Sequence, residues 1–283
     1  MMRPNIQQFL HGPSSTWTYV VHDGHLAAII DPVLDFDAPT GRTMTGSAGV
    51  VAQFVREQGL QVEWILETHA HADHLSAAPF VARELGGRNA IGEGICRVQA
   101  TFKDLLNLGP EFVADGRQFD HLFRDGETFR IGSLDGRVLT TPGHTDDSVS
   151  YLIGDAVFVG DSLFMPDAGT ARCDFPGGDA RILYASIQRL YALPGNTRLF
   201  VCHDYGPGGR EHRCETTVAA QREANIHVRD GVSEQQFVEL RTQRDTTLPV
   251  PGLLYPSVQV NIRAGQFPPA EANGQRYLKL PVS

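Results

Sequence analysis

Seven consecutive residues, Thr68-His69-Ala70-His71-Ala72-Asp73-His74, bring three imidazoles and a carboxylate together directly after the apolar run Val62-Glu63-Trp64-Ile65-Leu66. A neutral imidazole is a good ligand for zinc or iron and a carboxylate adds charge, so this segment can hold metal once distant residues complete the shell. Histidines two apart would face opposite sides of a continuing strand, so the backbone must turn here and curl around the ion. The competing reading is a polar loop that is merely rich in histidine. The whole chain has 11 His in 283 residues, which makes that density a poor product of chance.

Three later residues fit the same site. His144 lies in Thr-Pro-Gly-His-Thr, Asp161 follows Val157-Phe158-Val159-Gly160, and His203 follows Leu199-Phe200-Val201-Cys202. Each sits where a strand-like run gives way to a loop. Ligands at such ends converge on one edge of a sheet, and short strands hold them rigidly. Taken singly, His144 reads as a turn cap, Asp161 as a helix N-cap and His203 as a surface loop residue. Their joint position behind one four-ligand loop favours a common metal site.

The elements that must position these residues follow from the apolar patterning. Tyr19-Val20-Val21 and Ala27-Ala28-Ile29-Ile30 flank Asp23-Gly24, a hairpin signal, and Asp31-Pro32 stops the second strand. Helical spacing predicts helices over 47–58, ending at Gly59, and over 76–85, ending at Gly86-Gly87. The ligand loop thus joins a strand to a helix. Residues 94–124 read as an additional helix and connection, an insertion that would wall the site or make a dimer contact. The hairpin of 127–131 with 138–141 follows. A second hairpin, 148–153 with 156–159, leads into Asp161. Helices are then predicted over 179–193, 215–225 and 233–243, before a Pro-rich tail from about 245 with Pro249, Pro251, Pro256, Pro268 and Pro269. Two strand-rich halves with matching ligand loops suit an α/β architecture in which two sheets pack face to face with helices outside. Without a long linker or a repeat, residues 1–283 read as one catalytic domain.

Composition bounds the function. A net charge of -9 argues against binding a phosphate backbone, so nucleic acid is a poor partner. No apolar run approaches the length of a membrane span, and no secretory segment opens the chain. Cys96, Cys173, Cys202 and Cys214 are scattered without a Cys-x-x-Cys pair, as expected of reduced thiols in the cytoplasm.

The order Thr-His-x-His-x-Asp-His, then His, Asp and His, resembles the metallo-β-lactamase superfamily over about residues 15–225. The resemblance implies an αββα sandwich of two mixed β-sheets flanked by helices, with metal at one edge. Superfamily-wide, His69, His71 and His144 would form one metal site and Asp73, His74 and His203 a second, with Asp161 between them. The segments Gly169-Thr170-Ala171-Arg172-Cys173-Asp174-Phe175 and Cys202-His203-Asp204-Tyr205-Gly206 look like the persulfide dioxygenase (sulfur dioxygenase) family, itself similar to glyoxalase II. That likeness implies oxidation of glutathione persulfide by O2 to sulfite and glutathione at one non-haem Fe(II) per chain. His69, His144 and Asp161 would be the iron ligands. His71, Asp73, His74 and His203 would be outer-shell or second-site groups, and Arg172 and Tyr205 would contact glutathione. Two imidazoles and one carboxylate leave three iron positions open for sulfur and dioxygen, whereas zinc has no accessible redox couple. A surface ion pair for Arg172 and a packing ring for Tyr205 remain open alternatives. The alternative function is a glyoxalase II-like thioesterase with two metals, since all seven of its ligand positions are present. A non-catalytic metal-binding protein would be marked by a lost ligand, and none is lost.

Overall fold

The structure is a computed structural model in which residues 3–282 are described. The chain opens as an antiparallel meander of β1 (Asn5–His11), β2 (Thr16–His22) and β3 (Leu26–Ile30). Asp23 closes the β2–β3 turn by accepting from the amides of His25 and Leu26. After β4 (Val33–Asp37), β5 (Arg42–Met44) and α1 (Gly46–Glu57), β6 (Gln61–Leu66) adds parallel to β3. The short β7 (Leu75–Ser76) and α2 (Ala78–Leu85) lead to β8 (Arg88–Gly92), and α3 (Ile95–Leu105) leads to β9 (His121–Phe123). The first sheet has the order β1-β2-β3-β6-β8-β9, and β5-β4-β7 form a small separate sheet.

The second sheet comprises β10 (Thr128–Ile131), β11 (Leu134–Thr140), β12 (Val149–Ile153), β13 (Ala156–Phe158), β14 (Arg198–Phe200) and β15 (Glu215–Thr217), in that spatial order. All its pairings are antiparallel except β13–β14, which α4 (Ala180–Tyr191) connects. The helices α5 (Val218–Ala224), α6 (Glu234–Asp245) and α7 (Leu254–Asn261) follow. Both large sheets are therefore mixed.

Strand periodicity divides the core into layers. In the first sheet Val21, Ala28, Ile30, Trp64 and Leu66 face the second sheet, where Phe129, Val138, Tyr151 and Phe158 meet them. Their neighbours Val20, Ala27, Ile29, Val62 and Ile65 face outward against Val51 and Val55 of α1 and Val81 of α2. On the other side, Val157 and Leu199 pack against Leu183, Ile187 and Leu190 of α4 and Phe237 of α6. Because these strands are covered on both faces, they read in sequence as continuous apolar runs rather than alternating ones. The layer order is αββα.

Segment 94–124 holds the expected helix but ends in β9, which pairs with β8 as an edge strand of the first sheet. The Pro-rich tail contains α7, which sequence periodicity does not suggest. Pro256 is its third residue, within the first turn, where its missing N–H has no helical acceptor to lose. Together α3, α7 and the flanking loops build a fourth apolar cluster, in which Ile95, Val98, Phe102, Leu254, Val258 and Ile262 enclose Ala70 and Ala72 of the histidine loop.

Candidate metal centre

The histidine loop leaves the carboxyl end of β6, Asp31 follows β3, Asp161 follows β13 and His203 follows β14, so strand ends from both sheets meet at one edge. Asp161 sits in a one-turn 3₁₀ helix, Gly160–Ser162. Gly160 has φ +52, and a Cβ there would lie 2.8 Å from Thr68 Oγ1, so only glycine lets this turn press against the histidine loop.

Among the described residues two groups of donor atoms without cysteine result, and Cys202 completes two more, with Asp31 and His71 and with Asp161 and His203. Those of His69, His144 and Asp161 lie within 4.8 Å of one another, as do those of His71, Asp73, His74 and His203. His144 Nε2 is 3.5 Å and His69 Nε2 4.0 Å from Asp161 Oδ2, while His203 Nε2 is 3.4 Å from Asp161 Oδ1. The two oxygens of Asp161 thus face different groups. His71 clusters with the second group, unlike the superfamily-wide assignment beside His69 and His144, because its Nε2 is turned to Asp31 Oδ1 at 3.0 Å.

Hydrogen bonding fixes which ring nitrogen is free. His144 Nδ1 donates to the Arg172 carbonyl at 2.7 Å, which can only accept, so Nε2 keeps its lone pair. The Thr68 hydroxyl donates to Asp31 Oδ2 at 2.9 Å and so accepts from His69 Nδ1 at 3.0 Å, again leaving Nε2 free. His71 Nε2 donates to Asp31, leaving Nδ1 free. The atoms so freed, His69 Nε2 and His71 Nδ1, are buried without a hydrogen-bond partner among the described residues, as are His74 Nε2, His203 Nε2 and Asp161 Oδ1. Buried polar atoms are almost always paired, so five orphans converging on one place fit a bound cation, and the rings of His69, His71 and His144 carry on their other nitrogen a support of the kind metal-ligating histidines have.

The electrostatics agree. Burial, then the neighbouring imidazoles, hold His69 and His71 well below the usual histidine pKa, so both are neutral donors. At His203 burial is outweighed by Asp161 and Asp73, which raise its pKa. Burial pushes Asp31 up to about 6 against the opposing hydrogen bonds from Thr68. Asp31 also has φ +50, an unusual backbone for a residue with a side chain, and such strain collects at functional sites.

The site opens into a cavity of ≈ 540 Å³ walled by Phe164, Phe175, Tyr205, Leu248, Pro249 and Pro251. Tyr205 stacks on His203 with ring planes 5° apart and is largely exposed. Arg172 lines the cavity, but its Nε and Nη2 donate to the Asp174 carboxylate at 2.6 and 2.7 Å and Nη1 donates to Pro249 O at 2.6 Å. Arg244 also lines the cavity, and among the described residues its exposed guanidinium has no hydrogen bond or ion pair.

Sequence reasoning overlooks several contributors. Asp31 carries the same signal as Asp161, an acid at a strand end, but its Asp-Pro context reads as a simple stop. Asp147 accepts from the Ala70 amide at 2.8 Å. Asn261 of α7 donates to the carbonyls of His71 and His74 and accepts from the Ser76 amide, each at 2.8 Å, and nothing in its local sequence announces this.

The metallo-beta-lactamase superfamily profile matches residues 11–203. The chain belongs to this superfamily. Among curated proteins it is 49% identical to a "probable metallo-hydrolase" of Burkholderia pseudomallei, over 98% of both chains. It is 48% identical to "glyoxylase B2" of Dictyostelium discoideum, over 99% of this chain and 98% of that one. The mitochondrial "persulfide dioxygenase ETHE1" of Bos taurus is 29% identical over 94% of this chain and 91% of its own. The chain spans only 65% of the length of a "beta-lactamase hydrolase-like protein" of Xylella fastidiosa, with 50% identity over 99% of its own residues. Among solved structures, ETHE1 from Myxococcus xanthus superposes with a TM-score of 0.73 and 31% identity, over 93% of this chain and 100% of the other. The αββα architecture is that of the superfamily. Among the described residues no helix is long and apolar enough to cross a membrane.

Proposed function

We propose that this superfamily member oxidises a glutathione persulfide with O2 at one Fe(II) held by His69, His144 and Asp161. The observation that carries the reading is the compact group of two imidazoles and one carboxylate, whose free donor atoms lie beside an apolar cavity. A facial set of this composition leaves open positions on iron. The bound iron would supply redox chemistry and room for sulfur and dioxygen side by side. The balance is RSSH + O2 + H2O giving RSH, sulfite and two protons: the outer sulfur loses four electrons, and O2 gains them.

The chain's own part is to bind, orient and keep dry. Arg172 O and Thr68 Oγ1 hold the His144 and His69 rings with Nε2 directed at Asp161. Phe164, Phe175 and the Pro249–Pro251 rim exclude water from the sulfur. A carboxylate of glutathione would meet Arg244 first, because that guanidinium has no partner of its own. Arg172 would join by exchanging Asp174 for the substrate, and Tyr205 would donate a hydrogen bond from the rim. All four cysteines are free thiols, which accords with the reducing cytoplasm where such a persulfide would be met.

The completeness of the second group, His71, Asp73, His74 and His203, supports a second reading as a two-metal thioesterase, as does the likeness to the metallo-hydrolase. Metal analysis combined with two assays separates them. About one iron per chain, with O2 uptake and sulfite release from glutathione persulfide, is the expected result. Two metals per chain with fast thioester hydrolysis and no O2 uptake would overturn it.

A further inference from the structure

The supports described above account for His69, His71 and His144 but not for His74 and His203. Their Nδ1 atoms lie 3.4 and 3.3 Å from one hydroxyl, Thr16 Oγ1, and His74 Nδ1 is also 3.3 Å from Asp73 Oδ1, so His203 depends on Thr16 more than His74 does. Thr16 opens β2 and bridges His203 across the sheets: Trp17 N donates to Cys202 O at 2.7 Å and Asp204 N to Ser15 O at 3.2 Å. From Thr16 the contacts continue outward. Thr16 Oγ1 and Ser14 Oγ are 2.6 Å apart, Ser14 Oγ is 2.6 Å from His11 Nδ1, and His11 Nε2 is 3.4 Å from Asp35 Oδ1. Asp35 in turn accepts from the Ser47 amide and hydroxyl at 2.9 and 2.6 Å.

One backbone amide sets the direction of this row. Ser14 N donates to His11 Nδ1 at 3.3 Å, so that nitrogen accepts and the His11 proton sits on Nε2, toward Asp35. Ser14 Oγ then donates to Nδ1 and accepts from the Thr16 hydroxyl. Thr16, its single proton so committed, has two lone pairs left for the Nδ1–H groups of His74 and His203. A hydroxyl has one donor and two acceptor sites, and all three are used. In the neutral ring the remaining nitrogen, Nε2, is a lone pair, and both Nε2 atoms are among the buried orphans of the centre. Burial and the nearby His74 keep the His11 pKa below its usual value despite Asp35, which preserves Nδ1 as an acceptor at neutral pH.

We infer that Asp35, His11, Ser14 and Thr16 form a polarised hydrogen-bond row that presets the Nδ1–H tautomer of His74 and His203 and so readies their Nε2 atoms for metal. These are positioning residues, none of which lines the substrate cavity. The inference holds whichever reaction the centre performs, since it concerns ligand readiness alone.

The test uses the full-length, metal-free protein. Long-range ¹H–¹⁵N spectra of the imidazoles, recorded at a pH alkaline enough to deprotonate His203, whose pKa Asp161 and Asp73 raise, should show His74 and His203 as Nδ1–H, with His69, held by Thr68, as an internal reference. The near-isosteric Thr16→Val should leave the His69 signal in place, mix the tautomers of His203, disturb His74 less because Asp73 still faces its Nδ1, and lower Zn(II) affinity in a chelator-competition titration by roughly 10- to 100-fold. Thr16→Ser should restore both. His11→Phe keeps Thr16 but frees Ser14 to donate the other way, and should turn part of the His74 or His203 population to Nε2–H. Wild-type tautomers or wild-type Zn(II) affinity in Thr16→Val would overturn the inference, and should that variant not fold, unchanged tautomers in His11→Phe would do the same.

Discussion

Asn261 shows how much a single amide contributes here. It is buried and satisfies two carbonyls of the histidine loop and the Ser76 amide of β7. Leaving buried polar groups unpaired costs about 1–3 kcal/mol each, so Asn261→Ala should destabilise by about 3 kcal/mol or more in urea unfolding and weaken metal retention. A loss under about 1 kcal/mol would mean the loop holds its shape unaided. The same contrast explains what was legible at this scale. His69, His71, Asp73, His74, His144, Asp161 and His203 declare themselves because imidazoles and acids at strand ends have few other uses. Asn261 and Thr16 do not, because amides and hydroxyls occur everywhere and their partners lie from 58 to 190 positions away. Arg172 illustrates a third case: its type and motif were visible, but not that Asp174, two residues on, would fill its fork.

At the scale of elements, the segment after Asp161 that walls the cavity is fixed from α5 and the turn beyond it. Gln221 donates to Phe164 O, Asn225 donates to Gly169 O, and His227 Nδ1 accepts from the Thr170 amide at 3.0 Å. Burial, aided by Arg241 and Arg244, lowers the His227 pKa from 6.5 to about 4. Folded protein therefore excludes a proton that unfolded chain binds, so this contribution is whole above 6.5, declines as pH falls toward 4, and is gone below it. Urea midpoints should fall less steeply with acid in His227→Asn than in the parent chain between about pH 7 and about pH 5, and equal slopes would clear this imidazole of the role. Long apolar hairpins such as β2–β3 and β12–β13 were readable, as was α4, whose N-terminus the Asp179 carboxylate caps. The two-residue β7 and three-residue β9 were not, because such short strands exist only through their partners.

For the molecule as a whole, the segments that look accessory in sequence, α3 and α7, share one apolar cluster with Ala70 and Ala72. Phe102→Ala, in α3, should cost about 3 kcal/mol or more by calorimetry and also reduce metal content, although the ring touches no ligand. Normal metal content at lowered stability would separate the cluster from the site. The pairing of Thr16 with His203 has a kinetic reading as well. These residues stand 187 positions apart, and contacts that distant close slowly because a long loop must be ordered first. The outer histidines of the centre therefore come together only once His203 has joined the chain, and an ion bound there would tie the two ends of that long loop.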